Sequence, residues 1–369
     1  MTSKAMIDGV MISGVMADTT QHSLKKVTMP EAMLNGGVCR KQRGARSTDC
    51  LRSRNPALQP TLVVGERDLA LLCDLLTYGA MLGEHIHALY FAGRSRRRMN
   101  QRLQQLQHAG LIIRRPLPLG LSAALPLGGS MPWVYGLGSV GAPLVAAHLQ
   151  WDLADVRRLV RLGTPTAAAH TLEIVRLRLQ AEDAARQHKE HGEAKEDGGK
   201  GSMPQAERPV PRNDFLKTES LKIEFLPERL LRHAYQVRAV GGSWRDEVYK
   251  PDALLKLAFV GGLWRHFFAE IDCGHTSAPE WSVKASIALR YGQAGLFQKR
   301  YGADDFRTII VTTGRRRLSH LSQLLIRQTG PEGAARFALT TFSAIAEAGL
   351  LAPIWQVPGT DRPLSLEDW

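Results

Sequence analysis

Residues 251–272 read PDALLKLAFVGGLWRHFFAEID, and the folding of this stretch decides the architecture of the second half of the chain. Two apolar runs flank Gly261 and Gly262, the pattern of two strands joined by a tight turn. Side chains alternate along a strand, so Glu270 and Asp272 lie on one face of the second strand and Ile271 on the other. If the glycines form a two-residue hairpin, Val260 pairs with Leu263 and Asp252 falls opposite Ile271, on the wrong face to join the other acids. A three-residue loop or one bulge moves the pairing by one residue and sets Asp252 opposite Glu270 or Asp272. We expect the shifted register. It would gather Asp252, Glu270 and Asp272 into the oxygen-only donor set that Mg²⁺ prefers, and a cation held there can activate water and stabilise a leaving oxygen in phosphodiester hydrolysis. The spacing equally suits solvent-facing acids or salt bridges to Arg245 and Arg265.

Outward from this pair, helical and strand patterns alternate. We expect helices over Glu224–Ala234, Ser282–Lys299 and Leu318–Thr329, and strands over Phe306–Thr313 and Arg336–Thr341, which together imply an α/β sandwich. Upstream, a long helix from Thr166 runs into HKEHGEAKEDGGKGSMPQAERPVPRND. That segment is too polar to offset its ordering entropy and is expected to be a flexible insertion over 189–214.

The N-terminal half follows a different pattern. Leu69, Leu72, Cys73 and Leu76 recur at helical spacing from Glu66, a short helix follows over Gly83–Phe91, and a third begins after Gly93. Strands at Leu111–Arg115 and Trp133–Leu137 come next. Three helices and a hairpin in this order are those of a winged helix-turn-helix. A recognition helix needs cationic and polar side chains at its N-terminal end and an apolar rear face. Arg94, Arg96, Arg97, Arg98, Asn100, Gln101 and Arg102 meet the first need, and Met99, Leu103 and Leu106 the second. Double-stranded DNA is the partner this implies. The apolar loop between Pro116 and Pro132 equally suits packing on a partner subunit. Residues 1–60 read as a basic arm around Arg40, Lys41, Arg43 and Arg46.

Composition agrees with this division. At 369 residues the chain exceeds one ordinary core, so two domains are expected, a DNA-binding one over 61–150 and an α/β one over 164–358. Its formal charge of +13 favours a polyanionic partner. No apolar run is long enough to span a membrane, and Val10–Ala17 lacks the basic flank of a signal peptide. Cys39, Cys50, Cys73 and Cys273 show no zinc spacing, as expected of a reduced cytoplasmic protein.

PDALLKL, FFAEIDCGHT, Lys284 and Tyr291 downstream, RTIIVTTGRRR and the terminal APIW together resemble the replication-relaxation family of bacterial plasmids and mobile elements, over roughly residues 62–356. HTLEIVRLRL, around His170, resembles the helix that opens the family's second domain. The resemblance implies an α+β or α/β chain in which a winged helix-turn-helix precedes a PD-(D/E)XK restriction-endonuclease-like sandwich. It also implies a role in plasmid replication, relaxation or transfer in the bacterial cytoplasm. One departure stands out: the lysine of the (D/E)XK pattern is Asp272 here. Lys284, on the following helix, is the candidate to take that lysine's place, and Glu173 on the long helix is a further carboxylate. Cys273 and His275 stand where the family shows a basic residue and Gly-Thr.

Three functions follow. The first is a DNA-binding regulator or accessory protein, with a homodimer or replication and transfer proteins as further partners. The second is a Mg²⁺-dependent nickase in which Asp252, Glu270 and Asp272 hold the metal and Lys284 assists the water. The third is a non-catalytic protein-interaction module. Phosphotyrosine chemistry is disfavoured, because Tyr249, Tyr291 and Tyr301 lack an accompanying His cluster.

Overall fold

A computed structural model of the chain describes residues 62–118, 131–160, 162–197, 221–231, 233–238, 244–259 and 264–369, together with the short strands Ala5–Ile7, Val10–Ile12 and Val27–Thr28. The rest of the expected basic arm, the middle of the loop after Pro116 and the insertion beyond Asp197 lie outside the described residues. Elements are mixed α and β and fall into two compact units, one within 16–116 and 132–163, the other within 1–15, 117–131 and 164–369.

In the first unit the helical spacing from Glu66 winds α1 (Glu66–Tyr78), which Gly79 ends in the left-handed region at φ 84°. A two-residue strand, β1 (Met81–Leu82), leads into α2 (Gly83–Tyr90). Helix α3 (Arg96–His108) starts two residues later than the run of arginines suggests, because Ser95 caps it by accepting the Arg98 N–H at 3.4 Å. Arg94 therefore sits in the turn before the helix. Met99, Leu103 and Leu106 point inward and are buried. Strands β2 (Ile112–Pro116) and β3 (Trp133–Leu137) pair antiparallel, and β1 joins the far edge of β3 to give a three-stranded sheet in the order β1-β3-β2. Two short helices, α4 (Ala142–Leu149) and α5 (Leu153–Leu159), then pack on α1 and carry the unit past residue 150 to Gly163.

The second unit opens with the long helix α6 (Pro165–Asp197). Its sheet contains β4 (Lys222–Pro227), β7 (Ala253–Ala258), β8 (Trp264–Asp272), β9 (Arg307–Thr312) and β10 (Phe337–Thr341), in the order β10-β9-β8-β7-β4. The strands β4, β7 and β8 run antiparallel to their neighbours in turn, whereas β8, β9 and β10 are parallel. A separate hairpin, β5 (His233–Arg238) with β6 (Trp244–Tyr249), lies between β4 and β7 in sequence. Leu254, Phe268, Ile310 and Leu339, on one sheet face, share a core with α7 (Ala278–Gln293), α8 (Leu296–Tyr301) and α9 (Arg315–Ala334). On the other face Val311 lines a small cavity together with Leu177 of α6 and Ile345 of α10 (Phe342–Ala348). The chain continues past 358 with Leu366 and Trp369 buried, Trp369 stacking on Phe267.

Two expectations fail. No helix spans Glu224–Ala234: the segment is strand β4, a 3₁₀ turn at Glu228–Leu230 and the start of β5. The physical reason is visible in the residues. Leu221, Ile223 and Phe225 alternate with Lys222 and Glu224 at the strand period, and Pro227 lacks the N–H that a helix interior requires. The helix expected over Ser282–Lys299 is two helices, broken where Gly295 takes φ 65°.

The register of β7 with β8 is the shifted one. Ala253 pairs with Ala269 and Ala258 with Trp264, one residue away from the two-residue hairpin alternative. The Asp252 N–H extends this ladder, donating to the Ala269 carbonyl at 3.1 Å, which sets Asp252 beside Glu270.

Backbone crowding in the first unit gives a test. A Cβ at Gly138 would lie 2.1 Å from the Gly110 carbonyl oxygen, so Gly138→Ala should destabilise this unit by about 1–3 kcal/mol, read as a lowered Tm in thermal denaturation.

Candidate functional site

Two arrangements concentrate chemistry, one in each unit. In the second, β8 places Glu270 and Asp272 on the same sheet face, as the alternation requires, yet the two acids meet different partners. Glu270, buried at 3% exposure, accepts from Lys284 Nζ of α7 at 2.6 Å. Asp252, on the neighbouring strand, accepts the Ile271 N–H at 2.6 Å through Oδ2 and faces His170 Nε2 of α6 at 3.1 Å through Oδ1. Glu228, from the 3₁₀ turn, completes the group: one donor atom each from His170, Glu228 and Asp252 lie within 4.8 Å of one another.

Asp272 stands apart. It is fully buried, and Arg317, at the start of α9, grips it with Nε at 2.8 Å and Nη2 at 3.0 Å. Thr312 Oγ1 donates to it at 2.6 Å and Trp281 Nε1 at 3.4 Å. Both its oxygens are thus committed, and the expected trio of Asp252, Glu270 and Asp272 is a pair plus a structural ion pair.

The electrostatics sharpen this division. Burial pushes the Glu270 carboxyl up to about 7, against the pull of the Lys284 charge. Burial also works to raise Asp252, but the hydrogen bond and charge of His170, the Lys284 charge and the Ile271 N–H outweigh it and hold the group below the usual carboxylate range. For His170 burial works downward, and its bonds to Asp252 and Cys273 win, raising it to about 10. His170 and Asp252 thus each favour the charged form of the other. Lys284 lies above its ordinary value, the charges of Glu270 and Asp252 overcoming burial.

In the first unit α3 divides its residues by depth. Arg96, Arg97, Arg98, Asn100 and Gln101 are exposed on the helix, and Arg94 is exposed just before it. Arg102, expected to face outward with them, turns inward: Nε lies 3.2 Å from each carboxylate oxygen of the buried Asp68, and Nη2 donates to Oδ2 at 2.5 Å and to the Val63 carbonyl at 2.6 Å. At the hairpin end, the guanidinium of Arg114 lies 4.5 Å over the half-exposed Trp133 ring.

The model of the replication-relaxation family matches residues 72–305, more than half of the chain, and covers α3 together with His170, Asp252, Glu270 and Lys284. The chain belongs to the replication-relaxation family. Neither curated proteins nor solved structures gave a match.

In this replication-relaxation protein the donor atoms that lie close enough to share a cation come from His170, Glu228 and Asp252, while Glu270 is held by Lys284 and Asp272 by Arg317. Lys284, the candidate for the missing lysine's place, reaches the Glu270 carboxylate from α7. Glu173, one turn along α6 from His170, is buried and paired with Arg176 at 3.1 Å; His275 is exposed. Arg265, an alternative partner for the acids, donates to the Trp369 backbone oxygen at 2.7 Å. Tyr249 and Tyr291 are core residues, and Tyr291 meets His233 Nδ1 at 3.1 Å. Among the described residues, no helix is long and apolar enough to cross a membrane.

Arg317→Ala would strand the buried Asp272 without its cation and should cost about 3–5 kcal/mol, measured by urea denaturation at neutral pH. Arg317 and Thr312 hold the folded-state Asp272 below its ordinary value of 3.8. Their stabilisation is therefore present above that value and is lost as pH falls through the lower folded one. The gap between wild type and Arg317→Ala should accordingly narrow on acidification below about pH 4.

Proposed function

We propose that this replication-relaxation protein binds duplex DNA in replication or mobile-element processes. In this reading the first unit is a winged helix-turn-helix, and the second is a PD-(D/E)XK-like sandwich that contacts or processes the bound DNA. The observation that carries it is the division of α3, with Arg96, Arg97, Arg98, Asn100 and Gln101 exposed over a buried Met99, Leu103 and Leu106. Cations and amides on an exposed helix seated by an apolar rear face are what phosphate and base-edge contact require. The net charge of +13 and the family membership support the same conclusion. In a gel-shift or anisotropy titration, replacing Arg96, Arg97 and Arg98 together by Ala should weaken duplex binding by at least about tenfold and flatten its salt dependence. Unchanged affinity would remove α3 from the interface.

A second reading is favoured by the 2.6 Å contact of Lys284 with Glu270 beside Asp252. The order α6, three antiparallel strands, α7 and a parallel strand, with acids on adjacent strands, suits a PD-(D/E)XK-like active site whose lysine comes from the helix. Asp252 and Glu270 would hold Mg²⁺, which supplies charge stabilisation at the scissile phosphate. Lys284 Nζ, which pairs with Glu270, would hydrogen-bond the attacking water, and Asp272 with Arg317 would keep the end of β8 in position. Purified protein should then nick supercoiled plasmid in Mg²⁺, with Asp252→Ala and Lys284→Ala each lowering the rate at least about a hundredfold. Equal nicking by the variants would assign the activity to a contaminant and leave the second unit a DNA-contacting scaffold.

A further inference from the structure

The first unit holds a cavity of about 340 Å³ between α1, the turn before α3 and the first half of α3, walled by Arg67, Arg94, Arg98, Arg102, Phe91 and Gln101. Its arginines do different things. Arg102 has no arm to spare, since its contacts run to Asp68, Val63 and Gln105. Asp68 lies 3.7 Å from Arg67, and Arg102 already binds both of its oxygens. The Arg67 guanidinium is instead held 4.1 Å over the buried Phe91 ring, a contact that fixes its plane. Arg94 and Arg98 are exposed, and among the described residues no carboxylate pairs with either. Three guanidinium groups besides Arg102 thus line a concavity, and the neighbouring carboxylate, Asp68, is already bound by Arg102.

Guanidinium forks match phosphate oxygens in pairs, and like charges gathered without a counter-ion repel unless an anion sits between them. The cavity offers little to the rest of a nucleotide: Arg67 covers the Phe91 face on which a base would stack. Gln101, which also lines it, lies one helical turn from the exposed Arg97 of the same helix.

We infer that this cavity seats a phosphate group, and that in the working protein the phosphate belongs to the backbone of the duplex on which α3 docks. Arg67, Arg94 and Arg98 are its donors, and Arg102 is a positioning residue that removes the Asp68 charge from the cavity wall. The inference rests on the DNA-binding reading and adds a division of labour: one flank of α3 anchors the backbone, which leaves Arg96, Arg97 and Asn100 for the bases.

The test is anisotropy of the full chain with two labelled duplexes of unrelated sequence across a salt series, together with calorimetry using inorganic pyrophosphate. Arg67→Ala and Arg94→Ala should each lower the slope of log affinity against log salt by about 1. Each should also weaken both duplexes by the same factor, close to tenfold at about 0.1 M salt. Arg94 lies exposed in a turn, so its variant keeps the test valid even if loss of the Arg67–Phe91 contact disturbs the fold. Unchanged slopes in both variants would overturn the backbone assignment. If pyrophosphate then bound wild type and not Arg94→Ala, the source would be a free phosphate ligand; if it bound neither, the cavity would not be a phosphate seat. Loss of α3 binding altogether, with wild type failing to hold any duplex at low salt, would instead strike the DNA-binding reading, and the pyrophosphate arm would still report on the cavity.

Discussion

The pairing of β7 with β8 is the constraint on which the second unit depends. A slip of one residue would turn every side chain of a strand to the opposite face. Asp252 would leave Glu270, and Leu254 would leave the core it shares with Phe268 and Ile310. Two bonds pin the register where it matters: the Asp252 N–H donates to the Ala269 carbonyl, and the Asp252 carboxylate accepts the Ile271 N–H. The same residue thus locks the ladder and presents a carboxylate beside Glu270. Apolar burial on both sheet faces holds the strands together, so the acids at their ends are positioned by packing that none of them supplies.

Around that register two acids that look alike in sequence have opposite fates. Glu270 keeps a partly exposed lysine as its partner and is pushed up to about 7 by burial. Asp272, two residues on, is saturated by Arg317, Thr312 and Trp281 and lies below its usual range. Burial thus works against the ionised form of Glu270, whereas Asp272 is held ionised in a bidentate pair. In the first unit Arg102 and its neighbours divide in the same way: Arg102 is an internal strut to Asp68, and Arg96, Arg97 and Arg98 remain on the surface.

Much of this was legible in the residues. The strand pair, the acids on one face of β8 and the two-sided third helix follow from short-range periodicity. Lys284 could be named from its place on the helix after β8, and its Nζ meets Glu270. What periodicity could not show is which cation each acid meets, because the partners lie far apart in the chain: Arg317 is 45 residues from Asp272. His170 was visible only within a motif, since a helix position does not say which strand end it faces. Glu228 was hidden by reading 224–234 as a helix, although the alternation of Leu221, Ile223 and Phe225 and the proline at 227 carried the strand signal. Arg102 looked like its neighbours because the buried Asp68 that claims it lies 34 residues earlier.

The most direct measurement of DNA binding through α3 is photocrosslinking of the full chain to a duplex bearing a photoreactive base, with the attached peptides mapped by mass spectrometry. Crosslinks concentrated in residues 94–104, and lost when Arg96, Arg97 and Arg98 are replaced, are the predicted result. Crosslinks confined to other segments, or none under conditions where the protein holds the duplex, would contradict it.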